Sequence, residues 1–195
     1  MEAKNLYIIA GCNGAGKTTA SFTILPSILN CKEFVNADEI AKGLSPFQPE
    51  AVSFEAGRIM LHRIEELLHS GEDFAFETTL ASKSYRGRIL QAQSLGYRVI
   101  LLFFWLRDME LAKYRVSSRV KEGGHNIPVE IIERRYSAGI RNLFDIYLGI
   151  VDQVLIFDNS DGKHEFIAKK SKDSPIIVLS NDKFNLLLNS NEKKG

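Results

Sequence analysis

Cysteine is scarce in this chain of 195 residues. Cys12 and Cys31 have neither the spacing of a metal-ligating set nor the number needed for a disulfide framework. An excess of one charge is missing as well. The 25 Lys and Arg nearly balance 24 Asp and Glu, so no basic surface is expected for a phosphate backbone and nucleic acid is not an expected partner. No long apolar run is present either. The longest, Val99 to Leu106, is far too short to cross a bilayer, which argues against a membrane partner. The opening Met1-Glu2-Ala3-Lys4 lacks the basic-then-apolar pattern of a secretory signal, and the expectation is a cytoplasmic protein. There is no internal repeat, no low-complexity tract and no break marking a second unit. With 45% hydrophobic residues, the chain can bury a sizeable core. It reads as a single domain over residues 1–188, with a disordered tail at 189–195.

What is present is concentrated near the start. Residues 11–19 read GCNGAGKTT, a complete G-x-x-x-x-G-K-[ST] phosphate-binding loop directly after the apolar run Leu6 to Ala10. A buried strand, a glycine-rich turn and a following helix form the context this motif requires. Gly11, Gly14 and Gly16 permit the open turn conformations that bring backbone N–H groups to an anion, with Asn13 and Ala15 between them. Lys17 would reach the β- and γ-phosphates, the Thr18 hydroxyl would hold Mg²⁺, and Thr19 would extend the cradle. The helix beginning at Lys17 adds its positive end. ATP and Mg²⁺ are the expected cofactors.

Strands and helices alternate along the rest of the chain, which predicts a mainly parallel sheet with helices on both faces. Strands are expected at 6–10, 33–37, 73–77, 97–106 and 154–157. Helices are expected at 17–29, 51–69, 85–95, 109–120 and 129–150. A proline-bearing loop is expected at 43–50, and a hairpin of two short strands, 164–170 and 176–179, over Lys172-Asp173-Ser174. The run 97–106 shows no alternation and reads as a strand buried on both faces. No role is evident for 176–188.

Ligands of open α/β sheets sit beyond the carboxyl ends of the strands. Two such ends carry chemistry: Asn36-Ala37-Asp38 and Glu77-Thr78-Thr79. An acid there can take a proton from an attacking hydroxyl or help hold Mg²⁺. For Asp38 the alternative is a helix cap. For Glu77 it is a structural hydrogen bond to the loop after the first strand. Asp108 is assigned the cap of the next helix rather than a metal. A third group comprises Arg115, Arg119, Gly123, Gly124, His125, Pro128, Arg134 and Arg135. Two arginine-bearing helices flanking a glycine-rich break form the layout of a helical lid, and guanidinium supplies bidentate charge to a migrating phosphoryl group. Arg119 and one of Arg134 and Arg135, with Arg134 taken first, are the expected contributors. His125 is expected to order the loop.

GCNGAGKTT, Asn36-Ala37-Asp38, Glu77-Thr78-Thr79 and Arg119 with Gly123-Gly124-His125 together resemble the zeta toxin family of phosphate-loop kinases, over roughly Leu6 to Phe157. The resemblance implies a three-layer P-loop kinase fold and transfer of phosphate from ATP to a hydroxyl of a small molecule such as UDP-N-acetylglucosamine. It implies Asp38 as base, Lys17, Arg119 and Arg134 around the migrating group, and Asn36, Glu77 and Thr79 on the acceptor. It also implies an antitoxin protein as partner. Where the family pattern carries an arginine or aromatic shortly after its aspartate, this chain has Glu39-Ile40-Ala41-Lys42. A different class of protein shares the loop: a module whose nucleotide state is read by a partner through the segment 43–50. A polynucleotide 5′-kinase is disfavoured by the balanced charge.

Overall fold

The computed structural model describes residues 4–124 and 126–192. Seven strands form one sheet: β1 (Lys4–Ala10), β2 (Glu33–Val35), β3 (Phe74–Thr78), β4 (Tyr97–Trp105), β5 (Gln153–Asp158), β6 (Glu165–Ser171) and β7 (Ile177–Val178). Their spatial order is β2-β3-β1-β4-β5-β6-β7. The first five pair in parallel, and β6 and β7 close one edge as the expected antiparallel hairpin. Successive side chains on a strand point to opposite faces. Every residue of β4 except Arg98 is buried, as is β1 from Leu6 to Ala10. Both faces of the sheet are therefore covered by helices, which is why these runs lack alternation.

The helices are α1 (Lys17–Ser27), α2 (Ala37–Leu44), α3 (Ser53–Ser70), α4 (Tyr85–Ser94), α5 (Met109–Lys121), α6 (Val129–Asn142), α7 (Leu148–Ile150) and α8 (Asn181–Glu192). Parallel strands need crossovers of this kind, and the strand order brings four polar corners to one rim. Ala10 lies opposite both Thr78 and Phe103, Val35 opposite Phe76, and Trp105 opposite Asp158. Residues 11–19, 36–38, 77–79 and 159–160 consequently gather along one rim of the sheet.

Some boundaries differ from the sequence expectation. The second strand stops at Val35 because Asn36 caps α2, its side chain accepting from the N–H groups of Asp38 and Glu39. The cap is therefore Asn36, not Asp38. The segment 43–50 is shorter as a loop, since α2 continues to Leu44 and a 3₁₀ turn begins at Pro49. The long helix at 129–150 contains a wide π turn at Leu143–Tyr147. Asn142 just before it donates to Leu80 O (2.9 Å), and the Tyr147 hydroxyl at its end donates to Ser82 O (2.6 Å). Residues 189–192 belong to α8 rather than to a disordered tail.

Two helical glycines have opposite surroundings. A Cβ at Gly139 would lie 2.6 Å from the Thr79 carbonyl oxygen, whereas one at Gly43 would meet nothing within 4 Å. Backbone cannot yield as a flexible side-chain tip can. Gly139→Ala is expected to lower stability by about 1–3 kcal/mol. Gly43→Ala is expected to raise it by up to about 1 kcal/mol through helix propensity. Urea denaturation of the two variants checks both signs.

Candidate active site

The loop from Gly11 to Thr18 wraps over the end of β1. Gly16 adopts φ 78°, a left-handed conformation that glycine reaches without a steric penalty, and serves as N-cap of α1. No side chain caps this helix and its first turn holds no acid, leaving its positive end for an anion. A Cβ on Gly16 would run into the Asn159 amide nitrogen. Cys12 is buried and its thiol is pushed up to about 11 by desolvation. It stays protonated at neutral pH and is no nucleophile.

Lys17 is buried, only 6% exposed. Its ammonium donates to Cys12 O (2.9 Å) and lies 3.5 Å from Glu77 Oε1. The other Glu77 oxygen accepts from the Thr18 hydroxyl (2.8 Å) and from Asn36 Nδ2 (2.9 Å). Of the two readings of Glu77, the bond to the phosphate loop is the one observed. Asn36, expected at the acceptor, also brackets the site: its oxygen caps α2 while its amide holds Glu77. A buried lysine requires a counter-charge, and Glu77 supplies it.

Two cavities meet at this pair. The larger, about 310 Å³, is lined by Asn13, Gly14, Gly16, Lys17, Thr18, Thr19, Asp38, Glu77, Arg115, Arg119 and Gly124. The second, about 180 Å³, is lined by Asn13, Lys17, Asn36, Asp38, Glu77, Thr79, Tyr85 and Arg135, among others. Asp38 is exposed and borders both. Arg119 borders the first, and Thr79 the second. Arg134 is exposed and lines neither. The inward member of that pair is Arg135, which donates to Asn13 Oδ1 (3.2 Å). Burial lowers its pKa, an effect the nearby Asp38 charge opposes. The apolar stripe Ile132, Tyr136 and Ile140 carried the signal for this choice, since Arg135 lies three residues after Ile132 on that face. Asp108 caps α5 as expected, accepting from Leu111 N (2.7 Å). His125 lies outside the described residues.

The corner after β5 was missed. Asn159 donates to Ala15 O (2.7 Å), and the carbonyls of Asn159 and Ser160 both accept from Arg115 Nη2 (2.8 Å each). Arg115 also reaches Gly14 O (3.4 Å). Its guanidinium thus ties the corner to the loop. The available signal was positional: Asn159-Ser160 follow a parallel strand on the same rim.

Among the described residues no three acidic, His or Cys side chains gather as a metal cage. A phosphate-bound Mg²⁺ needs only one or two protein oxygens, and the Thr18 hydroxyl beside the Glu77 carboxylate offers that donor set.

The zeta toxin family model matches residues 1–172. The chain belongs to the zeta toxin family. An uncharacterized protein of Haemophilus influenzae is 29% identical over 136 residues, 70% of this chain and 94% of that one. Among solved structures, the AvrRxo1-ORF1:-ORF2 complex with ATP superposes at TM-score 0.75, with 17% identity, over 99% of this chain and 66% of the matched one. The same complex with sulphate ions is covered over 63% of its chain, so this zeta toxin family member spans just under two-thirds of that relative's length. A structure from the PezAT toxin–antitoxin system of Streptococcus pneumoniae superposes at 0.69, with 15% identity, over 97% of this chain and 85% of that one. At these identities the likeness establishes the P-loop kinase fold.

Removing one member of a buried ion pair costs about 3–5 kcal/mol. Glu77→Ala is expected to lose about that much in a buffer free of polyvalent anions. Sulfate should narrow the gap to the parent by giving Lys17 another counter-charge. Equal gaps in urea denaturation with and without sulfate would show that Lys17 is closed to anions.

Proposed function

We propose that this chain is a kinase transferring the γ-phosphoryl group of ATP to a hydroxyl of a small metabolite, with a sugar nucleotide such as UDP-N-acetylglucosamine as the acceptor class its family points to. The observation that carries the reading is the shared wall. Lys17, Asp38 and Glu77 border both cavities, so a triphosphate in the larger and an alcohol in the smaller would meet at these three side chains. The Asp38 carboxylate would take the proton of the acceptor hydroxyl as its oxygen bonds to the γ-phosphorus. The bond to the bridging oxygen breaks, and ADP leaves with that electron pair.

Lys17 would then exchange its Glu77 contact for phosphate oxygens. Arg119 from one side and Arg135 from the other would offset charge on the transferring group. Arg134, on the outer surface of α6, has no part in this geometry. Thr79, just beyond the end of β3, and Asn36 would contact the acceptor, with Tyr85 lining the same cavity. Thr18 and Glu77 would hold Mg²⁺, which supplies Lewis-acid charge neutralisation when bound. The break between α5 and α6 would act as the lid, with Gly124 already bordering the nucleotide cavity. The family setting favours a cytoplasmic enzyme controlled by an antitoxin protein.

One observation favours the second reading, a module read by a protein partner. Phe47 and Phe54 are 97% and 81% exposed, and they flank Pro49 and Ser53 at the mouth of the larger cavity. That reading requires tight nucleotide binding without transfer.

Incubation with labelled ATP, Mg²⁺ and a metabolite panel that includes UDP-N-acetylglucosamine is expected to give a phosphorylated product. Asp38→Asn should slow transfer by about a hundredfold or more while leaving ATP affinity within a few-fold, as loss of a general base does. Folded protein that binds ATP yet labels nothing would favour the module. Equal turnover in Asp38→Asn would remove Asp38 from the chemistry. Lys17→Met should abolish the stabilisation by Mg-ATP, which in the parent reaches about 2.7 kcal/mol at a hundredfold excess over Kd. Thermal shift measurements with and without Mg-ATP check this.

A further inference from the structure

Helix α8 lies beyond the 172 residues matched by the family model, yet it is wired to the phosphate loop. Its Lys183 ammonium donates to Asp158 Oδ2 (2.7 Å) at the end of β5 and to Glu165 Oε2 (2.7 Å) at the start of β6. Asp158 is buried, and its other oxygen accepts from the Ser160 N–H (2.9 Å) and from the Ser160 hydroxyl. The Ser160 hydroxyl oxygen in turn accepts from Arg107 N (2.9 Å). From this corner the carbonyls of Asn159 and Ser160 receive Arg115, and the Asn159 amide holds the Ala15 carbonyl. One connected network thus runs from α8 to the back of the loop whose N–H groups face the anion.

The network depends on Lys183. Burial raises the Asp158 pKa, but the Lys183 ammonium and the two Ser160 donors outweigh it and hold the carboxyl below its ordinary value. Without the ammonium, a buried carboxylate would keep only the serine donors. It would then pull in water or turn outward, releasing Ser160 and Asn159. Helix α8 also packs by apolar contact, with Leu187 fully buried and Phe184 edge-on to Phe144 at 6.5 Å. The helix can therefore be loosened in two chemically separate ways.

We propose that α8 is a positioning element for the nucleotide site, with Lys183 acting through Asp158 to hold the Asn159–Ser160 corner against the phosphate loop. This rests on the reading that the loop binds ATP. Lys183 lines neither of the two cavities.

The test is calorimetric titration of a non-hydrolysable ATP analogue with Mg²⁺ into the full chain and its variants, alongside melting curves. Lys183→Met is expected to raise the Kd five- to twentyfold, while Lys183→Arg, which can still reach both carboxylates, stays within threefold of the parent. Leu187→Ala should lower the melting temperature yet keep the Kd within threefold, because the ionic link survives. An unchanged Kd in Lys183→Met overturns the proposal. So does a Leu187→Ala Kd raised as far as that of Lys183→Met, which would make α8 a general support only. If Lys183→Met does not fold, Lys183→Gln is held to the same criteria, since it retains one donor without the charge. A parent protein that does not bind the analogue removes the ATP reading itself, an outcome distinct from a parent that binds and a Lys183 variant that binds equally well.

Discussion

A buried lysine must be neutralised, and here a single carboxylate does it. Glu77 stands at the end of β3, where the register sets it opposite Ile9, one residue short of the phosphate loop's strand end. One of its oxygens faces Lys17, and the other receives Thr18 and Asn36. Three chain segments are therefore fixed to one side chain: the loop with α1, the cap of α2, and β3. Asp38 follows Asn36 by two residues, so its position is set by the same contact.

Around this centre the fold supplies braces of different chemistry. Behind the loop, Arg115 and Asn159 hold the carbonyls of Gly14 and Ala15, which turns the opposite side of those peptides toward an anion. On the side of the smaller cavity, α6 lies so close to Thr79 that only glycine fits at 139. Leu80 is fully buried in a left-handed conformation at φ 61°, an arrangement that a branched side chain keeps only when its surroundings insist on it. Asn142 and Tyr147 bond the carbonyls of Leu80 and Ser82 and provide that insistence. The smaller cavity thus has a rigid floor, while the arginines of the two cavities, Arg115 and Arg119 in the larger and Arg135 in the smaller, come from helices flanking a glycine-rich break. A rigid floor of this kind would suit the proposed phosphoryl transfer, from which water must be excluded.

Much of this could be read from the chain. The phosphate loop, the parallel order and the doubly buried β4 followed from local pattern, because glycine placement and unbroken apolar runs report backbone and burial directly. So did the Asp108 cap and the closing hairpin. Side-chain direction was harder. Arg134 and Arg135 are adjacent, and only the phase of the helix separates the inward one. The family resemblance places Asn36 and Glu77 at an acceptor, but sequence does not reveal that they bond to each other. Asn159, Ser160 and Lys183 carried no motif. Their roles depend on contacts up to 144 residues apart along the chain, as between Asn159 and Ala15, and such contacts exist only once the sheet is assembled.

The most direct measurement is a crystal structure of the protein with a non-hydrolysable ATP analogue and Mg²⁺. A triphosphate is expected along residues 13–18, its terminal phosphate within hydrogen-bonding reach of Lys17 and facing Asp38, with the cation on Thr18 and the Lys17–Glu77 contact lengthened. A terminal phosphate outside the larger cavity, with Lys17 still held by Glu77, would contradict it.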